Sequence, residues 1–149
     1  MSTEENNGSP EQNQEILRRV IEEGFNKGNY AALDPLFATG YQEHQFGMKT
    51  TLEGFKEDIR YLRTGFPDFH LTIEDIIADA DTVWILMAAR GTNRGPFMGP
   101  PTGKSMTITV MDVCRFENGK IVEHWGVPDR FALMAQLGLL PHPQPAGKK

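Results

Sequence analysis

The chain is poor in the features that would tie it to a metal, a membrane or a nucleic acid. It has one cysteine, Cys114, in 149 residues, so an internal disulfide is excluded, and its histidines show neither the helical nor the cysteine-flanked spacing of a zinc site. The longest apolar run, "VWILMAA" at 83–89, falls far short of the roughly 20 residues that cross a bilayer. Lysine and arginine number 15 against 20 acidic residues, a formal net charge of −5. The basic residues are scattered without a stripe, which argues against a nucleic-acid or anionic-membrane surface. No stretch combines a basic start, an apolar run and a small-residue cleavage site, and no repeat of solenoid period occurs. The expectation is a cytoplasmic protein with no metal and no cofactor, acting on a small molecule, with no nucleic-acid or membrane partner.

What is present has the size of one domain, enough to bury roughly 70% of its unfolded surface. Residues 1–9 are polar and are expected to form a flexible tail, 10–140 the domain, and 141–149 a proline-rich tail. Ser9-Pro10-Glu11-Gln12 spells a capping-box start, followed by Ile16, Leu17, Val20, Ile21 and Phe25 at helical spacing. "YAALDPLFA" at 30–38 predicts a short helix interrupted near Pro35, and a third helix from Thr50 or Thr51 places Leu52, Phe55, Ile59 and Leu62 on one face before Pro67. From Phe69 the period changes to that of strands: "FHLTIEDIIAD", "TVWILMAARGT", a Gly/Pro-rich loop at 93–104, "SMTITVMDVCRF" and "KIVEHWG". Asp129 is placed to cap a last short helix over 130–136. Helices followed by consecutive strands predict an α+β domain, N-terminal helices packed on one face of a curved antiparallel sheet.

The hairpin at Asn118-Gly119 decides which side chains share a face, because a slip of one residue reverses them all. A two-residue loop puts Asp112 on the face of Trp125. A three-residue loop, with Gly119 as a bulge, puts Asp112 opposite His124. The three-residue form is preferred, since it gathers Ile108, Val110, Asp112, Cys114, Val122, His124 and Gly126 on one face, an apolar wall with a few polar groups such as small-molecule pockets have. Thr107, Thr109, Met111, Val113, Arg115, Ile121, Glu123 and Trp125 then form a mixed outer face suited to a subunit interface.

Asp112 is the leading proton-transfer candidate, because an unpaired carboxylate in an apolar wall shifts its pKa or demands a partner. Its competing explanation is a structural ion pair with Arg90. His124, a base near neutral pH or a donor to an oxyanion, could equally be a satisfied structural histidine. His44, in "GYQEHQFG", is placed on a loop at the pocket. His70 reads as plain surface or core, and Trp84 and Trp125 as packing or interface residues. The glycines at 91, 95, 99 and 103 do not lead a strand into a helix and so form no phosphate cradle.

"FPDFHLTIEDIIADADTV", "RGTNRGPFMGPPTGK" and "CRFENGKIVEHWGVPDRFALMAQLG" together resemble the SnoaL-like polyketide cyclases, or predicted ester cyclases, of the nuclear-transport-factor-2-like superfamily. The resemblance runs over about 12–140. It implies a cone-shaped domain around a deep apolar pocket, a homodimer through the outer sheet face, and ring closure by intramolecular aldol chemistry without metal or cofactor. It also implies that the family's acid/base aspartate falls at Gly126 and its supporting histidine at Asp112, so neither is matched in kind.

The expected activity is acid/base proton transfer on a small apolar carbonyl compound, an aldol-type cyclisation or isomerisation of lyase or isomerase type. Asp112 would be the acid/base, with His124 and His44 orienting the carbonyl, and Arg90, Val110, Cys114, Val122, Gly126, Trp125, Phe97 and Met98 contacting substrate. Two alternatives stand beside it. One is epoxide-hydrolase-like hydration using Asp112 and Arg90; the other is a non-catalytic binding protein, for which Gly126 is the evidence.

Overall fold

The computed structural model describes residues 8–141 of the chain. Of the two expected tails, residues 1–7 and 142–149, His142 included, lie outside the described residues. Helix α1 (Pro10–Arg19) starts on the capping box: the Ser9 hydroxyl accepts from the Gln12 N–H at 3.1 Å and the Gln12 side chain accepts from the Ser9 N–H at 3.0 Å. It continues as π-helical turns over Val20–Asn26, a wider winding that sequence spacing does not distinguish from an α-helix. A 3-10 helix, Tyr30–Leu36, follows with Pro35 inside it. Helix α2 (Leu52–Gly65) is capped by Thr51, and α3 (Arg130–Gln136) by Asp129, whose carboxylate accepts from the Ala132 N–H at 3.0 Å.

Among the described residues five strands form one sheet in the order β1-β5-β4-β3-β2: β1 (Phe37–Glu43), β2 (His70–Asp79), β3 (Thr82–Thr92), β4 (Ser105–Glu117) and β5 (Lys120–Pro128). Four of them match the predicted strands. The fifth corrects the sequence: "GYQEHQFG" is not all loop, since its first residues belong to β1, which pairs with β5 in parallel. The sheet is therefore mostly, not wholly, antiparallel. Its concave face and the helices bury one apolar cluster that includes Leu17, Leu33, Ile59, Phe66, Val83 and Phe116. The outer face carries a row in which Ile77, Trp84, Val113 and Trp125 are successive cross-strand partners, all exposed except the half-buried Val113.

The β4–β5 hairpin also departs from expectation. Its loop has two residues, Asn118 (φ 51°) and Gly119 (φ 73°), and Glu117 faces Lys120. Both central residues have positive φ, the geometry that matches strand twist in a tight hairpin. A bulge then intervenes: Phe116 faces Ile121 but Arg115 faces Glu123, leaving Val122 as the extra residue. The bulge restores His124 and Gly126 to the face of Asp112, with Cys114 opposite His124 and Asp112 opposite Gly126. It also turns Ile121 inward, to full burial, where the preferred register had it outside.

Deleting Val122 would remove that reset and aim either Ile121 or His124 the wrong way. The expected outcome is a loss of at least about 3 kcal/mol in urea unfolding, the scale of an uncompensated buried charge or a lost core side chain. A deletion variant as stable as the parent would show that the bulge does not set the faces.

Candidate active site

The centre of the site is an imidazole held between two carboxylates. His124 from β5 places Nδ1 2.7 Å from both Oε1 and Oε2 of Glu43 on β1, and Nε2 2.8 Å from Oδ2 of Asp112 on β4. All three residues are buried, with 5%, 6% and 6% exposure respectively. The parallel pairing of β1 with β5 sets Glu43 beside His124, and strand alternation turns both inward. Glu43 is fully engaged: the Tyr41 hydroxyl donates to Oε2 and the Gln45 N–H donates to Oε1 at 2.9 Å. Asp112 is not, because its Oδ1 is buried and finds no hydrogen-bond partner among the described residues.

The electrostatics follow from this geometry. Burial disfavours the imidazolium, but the Asp112 and Glu43 carboxylates outweigh it and push the His124 pKa up to about 10. For Glu43 burial raises the pKa, and the bonds from His124, Tyr41 and the Gln45 N–H bring it below the ordinary carboxylate value. Tyr41 is driven well above its usual range by burial and by the Glu43 charge, and burial does the same to the Cys114 thiol. The raised pKa favours the imidazolium at neutral pH, which donates from both nitrogens, one toward each carboxylate.

Behind the cluster lies a small cavity walled by Leu17, Val20, Ile21, Phe25, Phe37, Phe55, Cys114 and Ile121, with Asp112 and His124 at its polar end. It offers about 10 Å³ of space to the centre of a water-sized sphere, roughly one water. The cavity is therefore narrow. Among the described residues no group of three or more His, Cys, Asp or Glu is arranged to hold a metal ion, and no helix is long and apolar enough to cross a membrane.

Of the residues named from the sequence, the structure brings Asp112, His124 and Cys114 together at the cavity. Val110 is half-buried on the same face, and Gly126 lies opposite Asp112. The others lie elsewhere. His44 is on the outer face: its Nε2 is 2.8 Å from Glu123 Oε2 and its ring stacks on Trp125 at 4.7 Å, so neither His44 nor Trp125 reaches the cluster. The reason is alternation, since Glu43 rather than its neighbour points inward. Arg90 is exposed and forms no ion pair with Asp112. Val122 is the bulge residue. Phe97 packs against Phe66 and Tyr61 over the end of α2, and Met98 is 62% exposed. Glu43 was missed altogether, although the alternation of Tyr41 and Glu43 with Gln42 and His44 is a strand pattern that would have found it.

The model of the SnoaL-like polyketide cyclases matches residues 15–137. The chain belongs to the SnoaL-like polyketide cyclase family. Solved structures agree with this. IdmH from Streptomyces antibioticus, described as a proposed polyketide cyclase, is 32% identical with a TM-score of 0.77, covering 85% of this chain and 99% of its own. TsrD from Streptomyces laurentii is 25% identical with a TM-score of 0.81, covering 89% and 99%. A protein from Catenulispora acidiphila with a ketosteroid isomerase-like fold, 19% identical, covers 87% and 98% at a TM-score of 0.72 and supports the fold alone. Among curated proteins none matches the chain. The fold is α+β, of the nuclear-transport-factor-2-like type, and family membership makes the protein a small-molecule enzyme or binder.

Because the folded His124 binds its proton more tightly than the unfolded chain does, its stabilising contribution is complete below about pH 6.5 and is lost as pH rises toward about 10. Urea unfolding of the SnoaL-like protein and of His124→Gln should therefore show a gap that narrows across that window. A gap independent of pH would contradict the charged clamp.

Proposed function

We propose that this SnoaL-like protein catalyses proton transfer on a small apolar carbonyl compound, an aldol-type cyclisation or isomerisation, with Asp112 as the acid/base. The observation that carries this reading is the oxygen Oδ1 of Asp112, buried and without a hydrogen-bond partner among the described residues, on a carboxylate whose other oxygen is held 2.8 Å from the His124 ring. A carbon flanked by carbonyls is acidic enough for one positioned carboxylate to remove its proton. In the cyclisation, the C–H electron pair becomes an enolate, whose carbon bonds to a second carbonyl carbon of the same molecule; that carbonyl's oxygen takes the proton back from Asp112. No co-reactant enters the balance. His124 acts through Asp112 as a positioning residue, and Glu43 orients His124.

The proposed polyketide cyclase at 32% identity supports the reaction class. His44 and Arg90 drop out of the proposed machinery, and with Arg90 on the outer face the water-holding set of the hydration alternative is not assembled. The same proposal keeps the homodimer, which would bury the outer-face row of Ile77, Trp84, Val113 and Trp125.

The test is solvent-deuterium incorporation into a panel of β-keto esters near neutral pH. Wild type should accelerate exchange at the carbon between the carbonyls, and Asp112→Asn should lose about 10²-fold to 10⁴-fold of that acceleration while keeping its fold by circular dichroism. Undiminished exchange in Asp112→Asn would overturn the assignment; a panel that binds without exchange would favour the non-catalytic binding protein.

A further inference from the structure

A residue outside the clamp lies beside Asp112. Gly126 faces Asp112 across β4–β5, and a Cβ built on it would lie 3.0 Å from Asp112 Oδ1 and 2.0 Å from Oε1 of Gln45. The absent side chain at 126 has thus been replaced in space by the carboxamide of Gln45, which arrives from the segment after β1. Gln45 is half-buried, and its backbone N–H is fixed on Glu43. Its side-chain amide makes no hydrogen bond among the described residues that would lock it there. On the cavity side, Leu17, Val20, Ile21, Phe37, Phe55 and Ile121 of the lining belong to the buried core.

We propose that Gln45 is the residue a ligand displaces or pairs with to reach Asp112, and so determines what the site admits. Oδ1 of Asp112 is an acceptor, which calls for an O–H donor on the ligand. The carboxamide, with one acceptor and two N–H donors, suits a carbonyl beside it. A neutral hydroxy- or enol-carbonyl compound satisfies both groups. This deepens the proposed function and rests on its premise that Asp112 is the group the ligand meets.

The experiment uses phenol as a minimal hydroxyl donor, with NMR of the Asp112 carboxyl carbon as the readout, so that no turnover is needed. Gln45→Ala should bind phenol at least about fivefold more tightly than wild type, because the closed population no longer taxes the affinity. The Asp112 signal should move on binding in both proteins. In Gly126→Ala the new methyl should evict the carboxamide, seen as faster solvent exchange of the Gln45 side-chain N–H₂. Unchanged or weaker phenol binding in Gln45→Ala, no movement of the Asp112 signal, or an unaltered amide in Gly126→Ala would each overturn the role of Gln45. If phenol behaves as expected while Asp112→Asn keeps its exchange activity, Gln45 still controls entry and the acid/base assignment alone fails.

Discussion

The structure turns on a charge that could not exist alone. An imidazolium buried among phenylalanine and leucine side chains is costly, and so is either carboxylate. Together, at 2.7 and 2.8 Å, they tolerate the interior. This requirement reaches into the fold. It needs β1 alongside β5 to deliver Glu43, a bulge at Val122 to turn His124 inward, and Tyr41 with the Gln45 N–H to finish the bonding of Glu43. An ion pair of this sort is weak evidence for stability, since a well-packed apolar substitute is often as stable or more so. What the trio does do is geometric: it fixes one carboxylate while leaving one of its oxygens without a partner among the described residues.

The two carboxylates are unequal in how their oxygens are used. Glu43 accepts from three different donors, and nothing remains for a ligand to take. Asp112 spends one oxygen on His124 and leaves the other buried and bare. Leaving a buried acceptor unpaired costs about 1–3 kcal/mol. A purely structural trio would have no reason to carry that cost on one member while saturating the other.

How much of this could be read from the letters depends on how local each determinant is. The capping box at Ser9, the Thr51 and Asp129 caps and the long strands are written in adjacent residues, and the structure follows them. The inward face of Glu43 was legible in the alternation of 41–44, but its partner was not, because β1 pairs in parallel with a strand far along the chain and no turn signal announces such a pairing. The bulge was hidden because Val122 is an ordinary strand residue; nothing in its type says that it is the extra one. The preferred register reached the right face for Asp112 and His124 through the wrong device, and so misplaced Ile121. Arg90 was misjudged for a further reason: β3 is apolar on both faces, Trp84 and Leu86 outside as well as Val83 and Ile85 inside, so its alternation is muted.

The narrow cavity bears on specificity more than the family does. On the helix side, the π-helical turns bring Val20, Ile21 and Phe25 against Phe37 and Phe55, leaving about one water's room. That wall keeps the imidazolium dry, and dryness is what makes the clamp strong, because charges attract more in a low-dielectric surround. Opening the wall to admit a large ring system would weaken the interaction that positions Asp112. Access from the other side, where Gly126 lacks a side chain, carries no such penalty. Under the proposed function, the glycine that stands where the resemblance places the family's acid would also provide the approach, and the chemistry would pass to the carboxylate across the strand.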